Sequence, residues 1–283
     1  LTTALGRTIE ATGNNPFYTY NGWRKLDDLQ PDEFIAVPRI IPVEGQNEWH
    51  DHEVIALGHL LAEDSTQEIP AEVFELTNRQ IALLIYSLWE SAGSIDDGSA
   101  SYICASSRTA NQIQHLLLRF GVLSQVKTLG LSRENIGYRI IVSEADSLQG
   151  FTNQIIQRQS LLATASGGIN PFLSTWKSAE ADSPLQPAGL PRTEQAASAP
   201  LTPYPASDLY WDRIAFIEYV GEKQTYDLEI AQTHNFIAND ILVHNSHAAD
   251  YGVIAVQTAF LKSTYTAEYM TALLSASAGQ TDK

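Results

Sequence analysis

The sequence predicts a mainly β protein in which two β-rich ends flank an α+β middle, with a helical tail after them. Three observations carry this prediction. Short alternating apolar segments broken by turn residues fill Arg7–Arg39 and return at Ile214–Tyr219, Thr225–Ile230 and Phe236–Val243, and a period of two is the mark of strands. Between these ends, from Val54 onward, apolar residues recur at helical spacing. Beyond Ser246 only the helical spacing remains.

Each element follows from local pattern. Asn14, Asn15, Pro16, Asn21 and Gly22 punctuate the opening stretch and predict β-hairpins. Thr77 is placed to cap a helix whose Ile81, Leu84, Ile85, Leu88 and Trp89 share a face. Ala100–Ala105 reads as a strand, and a second helix carries Ile113, Leu116, Leu117 and Phe120 with Gly121 as its stop. Tyr138–Val142 completes the α+β unit. From Lys177 to Leu209 the pattern gives way to Ala, Ser, Gln and repeated Pro, which predicts an extended or disordered linker. Gly221, Thr233 and Asn239 separate the returning strands, and the tail places Ile254, Ala255, Ala259 and Leu261, then Met270, Leu273 and Leu274, on apolar helix faces.

Composition excludes several classes of function. With 44% hydrophobic and 18% charged residues over 283 positions, the chain is ordinary for a folded globular protein. No apolar run approaches the ~20 residues that span a bilayer, and Leu1–Glu10 lacks the zones of a signal peptide. Cys104 is the only cysteine, which leaves no internal disulfide or cysteine zinc cage and predicts a cytoplasmic protein with no membrane partner. In its apolar setting Cys104 reads as a small buried hydrophobe. A net charge of −16, from 17 basic against 33 acidic residues, argues against duplex binding by the whole surface.

The most specific signal lies near the C-terminus. It is the run Tyr226-Asp227-Leu228, then Thr233-His234-Asn235-Phe236-Ile237-Ala238-Asn239, ending at Val243-His244-Asn245-Ser246. Upstream stand Thr8-Ile9-Glu10-Ala11-Thr12-Gly13-Asn14-Asn15-Pro16-Phe17, Gly22-Trp23 and Ile35-Ala36-Val37-Pro38-Arg39. In this order the two groups resemble the C-terminal splicing motifs and the second N-terminal splicing motif of inteins. The resemblance implies a horseshoe-shaped all-β splicing domain of the Hint type, assembled from residues 1–52 and 210–245. It also implies that Asn245 attacks its own backbone carbonyl, forming a succinimide and cutting the bond before Ser246. An amide nitrogen is a poor nucleophile, so the fold must hold it in attack geometry and supply proton transfer. His244 is then placed to polarise or protonate the scissile bond, and His234 to activate the Asn245 amide. Asp227 corresponds to the acid that supports the upstream steps, and Ser246 is the nucleophile that receives the upstream host segment as an ester. Splicing of this kind needs no cofactor.

Two departures from the intein pattern matter. Asn15 stands where the motif has a histidine that helps protonate the leaving amide of the first acyl shift, while Thr12 is retained. The first splicing motif, with its Cys or Ser nucleophile, is not in this sequence, which opens at Leu1, so the chain by itself is expected not to splice.

The middle, residues 53–176, resembles a LAGLIDADG homing endonuclease. Gly58-His59-Leu60-Leu61-Ala62-Glu63 is similar to the first signature helix and Ser87-Leu88-Trp89-Glu90-Ser91-Ala92-Gly93-Ser94 to the second. Such enzymes hold catalytic metal ions with one carboxylate from each helix. Glu63 fits that role and Ala92 does not; Asp64 as the alternative acid would shift the helix register, and Glu90 would have to replace the missing partner. Val54–Ile155 also carries 11 acidic against 6 basic residues. The expectation is a decayed endonuclease, with Mg²⁺ relevant only if it were active. Residues 177–209 form the linker. The tail, residues 246–283, runs Ser246-His247-Ala248-Ala249-Asp250-Tyr251-Gly252, Gln257-Thr258-Ala259-Phe260-Leu261-Lys262, and Glu268-Tyr269-Met270-Thr271-Ala272-Leu273-Leu274 on to Thr281-Asp282-Lys283. It resembles the alpha subunit of bacterial DNA polymerase III. This implies that the partners are the flanking host polymerase segments, with DNA and replisome subunits reached through the intact host. The alternatives at this point are a DNA-cutting endonuclease or a polymerase segment acting in DNA replication.

Overall fold

A computed structural model describes residues 1–96, 98–130, 136–157, 208–226, 228, 230, 233–245 and 247–277. Asp227, Ser246 and nearly all of the expected linker lie outside the described residues. By their internal contacts the residues fall into two units. One comprises Leu1–Ile9, Gln30–Glu218 and Asn239–Ile241, and the other Glu10–Leu29, Tyr219–Ala238 and Leu242–Lys283.

In the first unit, β1 (Thr2–Thr3) and β4 (Phe34–Pro38) both pair antiparallel with β9 (Leu209–Phe216), which lies between them. β9 begins at Leu209, ahead of the expected start at Ile214. The early residues Tyr210 and Trp211 face Val37 and Ala36 across the ladder, so aromatic and apolar cross-strand pairing carries the strand back into the segment read as linker. Beneath it lies a buried ion pair. Arg7 Nη1 donates to Asp212 Oδ2 at 3.4 Å, with both side chains 1–2% exposed. Burial pushes the Asp212 carboxyl up and the Arg7 guanidinium down, and each partner partly offsets the shift of the other.

The same unit holds the α+β middle. Helices α2 (Asn78–Ala92) and α3 (Ser107–Leu118) pack on a four-stranded antiparallel sheet in the order β5 (Gly93–Asp96), β6 (Ser99–Cys104), β8 (Ile136–Val142), β7 (Gln125–Gly130), and α1 (Asp51–Glu63) packs on α2. α4 (Ala145–Phe151) continues into a π-helical turn, Thr152–Gln157. α2 is buried without interruption from Gln80 to Trp89, as expected of a central helix apolar on every side. Thr77 occupies its N-cap, but the hydroxyl makes no capping bond. The Gln80 and Ile81 amides instead donate to the Thr77 carbonyl, which already satisfies the first turn. α1 crosses α2 at Gly58, where a Cβ would stand 2.5 Å from the Ser87 Cβ. Cys104 is buried, and burial raises its thiol to about 11.

In the second unit, β2 (Pro16–Thr19) and β3 (Gly22–Lys25) form a hairpin with Thr19 opposite Gly22. β10 (Asn235–Ala238) and β11 (Ile241–His244) are neighbours, and Val243 of β11 pairs with Phe17 of β2. The expected segment Phe236–Val243 is thus two strands joined by the Asn239-Asp240 turn. Thr225–Ile230 was expected as a strand, yet its described residues form none. Tyr226 is 90% and Leu228 58% exposed, so alternation there has no second layer to cover it. The tail is helical as expected, in α5 (His247–Thr264) and α6 (Thr266–Ser277). Among the described residues no helix is long and apolar enough to cross a membrane.

Candidate active site

The end of β11 assembles three of the expected residues. Asn245 is 5% exposed, and its backbone N–H donates to the His234 carbonyl at 2.7 Å. The His234 N–H in turn donates to the Ile230 carbonyl at 3.0 Å. These bonds hold His234 at φ 54°, a left-handed conformation costing a non-glycine residue ~1–3 kcal/mol. His234 Nδ1 is buried and has no hydrogen-bond partner. His244 Nδ1 lies 2.7 Å from the carbonyl oxygen of Asn245, the oxygen of the bond to Ser246. With the proton on Nδ1, the ring donates to that oxygen. The two histidine rings are 6.1 Å apart between centroids.

Trp23 completes the setting. Its ring meets His244 edge-on at 5.0 Å and is itself backed by Tyr18 at 4.9 Å, an arrangement that fixes a ring's orientation. The sequence assigns Trp23 no role; the structure supplies one, because β3, which carries Trp23, pairs with β2, and β2 pairs in turn with β11.

The upstream loop is ordered from within. Thr12 Oγ1 donates to Asn14 Oδ1 at 2.6 Å, and the Asn15 N–H donates to the Thr12 carbonyl at 3.0 Å. Asn15 Nδ2 reaches the Pro16 carbonyl at 3.4 Å. Gly13 lies against the Asp27 carboxylate, and a Cβ there would stand 2.1 Å from Asp27 Oδ1 and force that side chain to move. Thr12 is exposed and Asn15 half-buried.

This geometry is joined by a family match. The intein splicing domain family matches residues 1–245, ending on Asn245. The chain belongs to that family. The intein is also similar to the replicative DNA helicase DnaB of Rhodothermus marinus, 24% identical over 388 aligned positions that cover 90% of this chain and 40% of the helicase. For the Synechocystis sp. helicase the figures are 25% over 382, with 90% and 44% covered. A probable translation initiation factor IF-2 of Pyrococcus abyssi is 26% identical over 160 positions, 52% of this chain and 14% of the factor. The chain spans less than half the length of the helicases it matches. None of these three is named as a DNA polymerase, so the comparisons do not support the expected polymerase host.

In the insert, Glu63 ends α1 in an exposed position. It lines an open depression with His59, Ala62, Glu90 and Ser91, and Ser91 Oγ lies 3.1 Å from His59 Nδ1. The two helices thus bring Glu63 and Glu90 to one hollow. Among the described residues, however, no group of three His, Cys, Asp or Glu side chains is arranged to hold a metal ion, and Tyr86 lies 3.5 Å from Glu90 Oε1. This donor set does not fit a catalytic metal site, and no step is derived through one.

Proposed function

We propose that the chain cuts itself between Asn245 and Ser246 by cyclisation of Asn245. The observation that carries this is the 2.7 Å approach of His244 Nδ1 to the Asn245 carbonyl oxygen. The Asn245 side-chain nitrogen forms a bond to that carbonyl carbon, and the bond from the carbon to the Ser246 nitrogen breaks. Charge developing on the oxygen is met by the His244 N–H, a preorganised donor. The attacking nitrogen gives up a proton, for which the unpartnered His234 Nδ1 is the available acceptor, and the departing Ser246 nitrogen gains one. The products are a C-terminal succinimide and a peptide beginning at Ser246. No cofactor enters. In full splicing Ser246 would first receive the upstream host segment as an ester, with Asp227, Thr12 and Asn15 serving the earlier acyl shifts.

The proposal extends to architecture and host. Residues 1–52 and 210–245 make up the Hint-type horseshoe, 53–176 a degenerate LAGLIDADG insert, 177–209 the linker and 246–283 the start of a DNA polymerase III alpha subunit. Similarity to proteins named for two different activities, each covered over less than half its length, supports an element inserted into unrelated hosts. DNA and replisome subunits are then partners of the host in the cytoplasm.

Mass spectrometry of the purified chain over days is expected to show the tail peptide and an intein fragment one water lighter than its free acid. Asn245→Ala removes the attacking nitrogen, so both products should vanish. Unchanged cleavage in that variant would mean ordinary proteolysis and would overturn the mechanism.

A further inference from the structure

The turn that feeds β11 carries an aspartate where a two-residue hairpin turn favours glycine. Asn239 and Asp240 have φ of 49° and 58°, the left-handed pair of a two-residue hairpin turn in which glycine is favoured at the second position. Aspartate takes this conformation less readily than glycine, so tertiary contacts help to hold it there. Two are present. Asn239 Nδ2 donates to the Thr8 carbonyl at 2.9 Å. Asp240 Oδ1 is met at 2.7 Å by Nδ1 of His115, on α3 of the insert, 125 residues away in sequence. The Asp240 side chain is 8% exposed and His115 36%. His115 also lies against the Phe74 ring, 5.8 Å between centroids.

α3 and the strand after it are themselves bonded to the segment around β1. Gln114 Nε2 donates to the Leu5 and Ser124 carbonyls at 3.0 and 2.7 Å. Gln125 Nε2 donates to the Ala4 carbonyl at 2.6 Å, and the Val126 N–H to the Leu5 carbonyl at 3.0 Å. His115 therefore projects from an anchored helix.

We propose that His115 is a positioning residue for self-cleavage: its bond to Asp240 pins the left-handed turn, sets the start of β11, and through that strand aims Asn245. This inference rests on cleavage at Asn245. It gives the insert a part in splicing that needs no DNA chemistry. Loss of the bond frees the turn to leave φ of 58°, and Asn245, five residues on, loses its register.

The test compares the full chain with His115→Ala, His115→Gln and the double variant His115→Ala/Asp240→Gly. His115→Ala is expected to slow release of the Ser246 peptide roughly ten- to a hundredfold, the scale of one charge-assisted hydrogen bond. Amide exchange of the peptide covering 235–245 should rise in parallel. His115→Gln keeps a donor and should restore part of the rate. The double variant should restore both rate and protection, because glycine takes the turn conformation without a partner; a role confined to the packing of α3 would not be rescued by a change at residue 240. Unchanged exchange over 235–245 in His115→Ala would overturn the proposal, as would a double variant no better than the single one. A parent chain that never cleaves would sink the cyclisation mechanism, and the exchange measurements would still decide whether His115 holds the turn.

Discussion

The insert and the splicing end of this intein divide stability and chemistry between them. In the insert, Trp89 is fully buried between Tyr102 and Phe151 at 5.3 and 5.0 Å, in a cluster reaching from Val54 to Ile156. At the splicing end, buried apolar residues are few, such as Phe17 and Val243, and the central features are polar. There His234 is backbone-strained with an unpartnered nitrogen, and Asn245 is almost inaccessible. The α+β middle, where Ala92 stands in place of the carboxylate that the nuclease resemblance calls for, is the better packed. Packing density is therefore no guide to where bonds are broken.

The largest expected effect tests the insert side. Trp89→Ala should lower unfolding free energy by about 3–5 kcal/mol, the usual result of emptying a buried aromatic site, measured by denaturant titration of the first unit's signal. A loss below 1 kcal/mol would show a loosely packed core and erase the contrast. Next is His244→Ala, which should slow tail release about 10²–10³-fold, as loss of one oxyanion donor does, with the product masses and melting temperature unchanged. A fall in melting temperature matching that of Trp89→Ala would mean that His244 belongs to the scaffold.

Trp23→Leu sharpens the comparison at a smaller scale. The aromatic edge contact is worth ~0.5–1.5 kcal/mol, so release should slow by roughly 2- to 10-fold while the unfolding midpoint barely moves. An effect on stability alone would deny the ring a part in orienting His244. Smallest of all is Glu63→Gln combined with Glu90→Gln, for which no change in tail release is expected. The parent chain with Mg²⁺ should leave DNA that carries the uninterrupted insertion site of its host gene uncut. Specific cleavage at the insertion site would return these two carboxylates to catalysis.

Local pattern reveals much of the insert and of the site's membership. α3 is legible because periodic apolar residues dictate which helix face is buried, whatever it packs against, whereas α2, expected to bury one face, is buried all round from Gln80 to Trp89. His234, His244 and Asn245 are legible through the resemblance of their stretch to the C-terminal splicing motifs of inteins. The turn at Asn239 was visible as a separator, although the strands on either side were not resolved into two. What stayed hidden depends on distant partners. Nothing around Arg7 announces Asp212, nothing in α3 marks His115 as facing Asp240, and the early start of β9 depends on β4. Thr225–Ile230 alternates like a strand, but alternation creates a strand only where a ladder and a covering layer exist.

The place of β9 between β1 and β4 has a consequence for how the chain can be divided. A break anywhere in 158–207 would leave β1 and β4 on one piece and the strand that joins them on the other. The first piece would carry Arg7 and the second Asp212. Each piece would present an open edge that only the other completes, with opposite charges meeting under the ladder. Such halves should recombine when mixed, faster at low salt than at high, and regain through strand addition the register that a single peptide chain otherwise enforces.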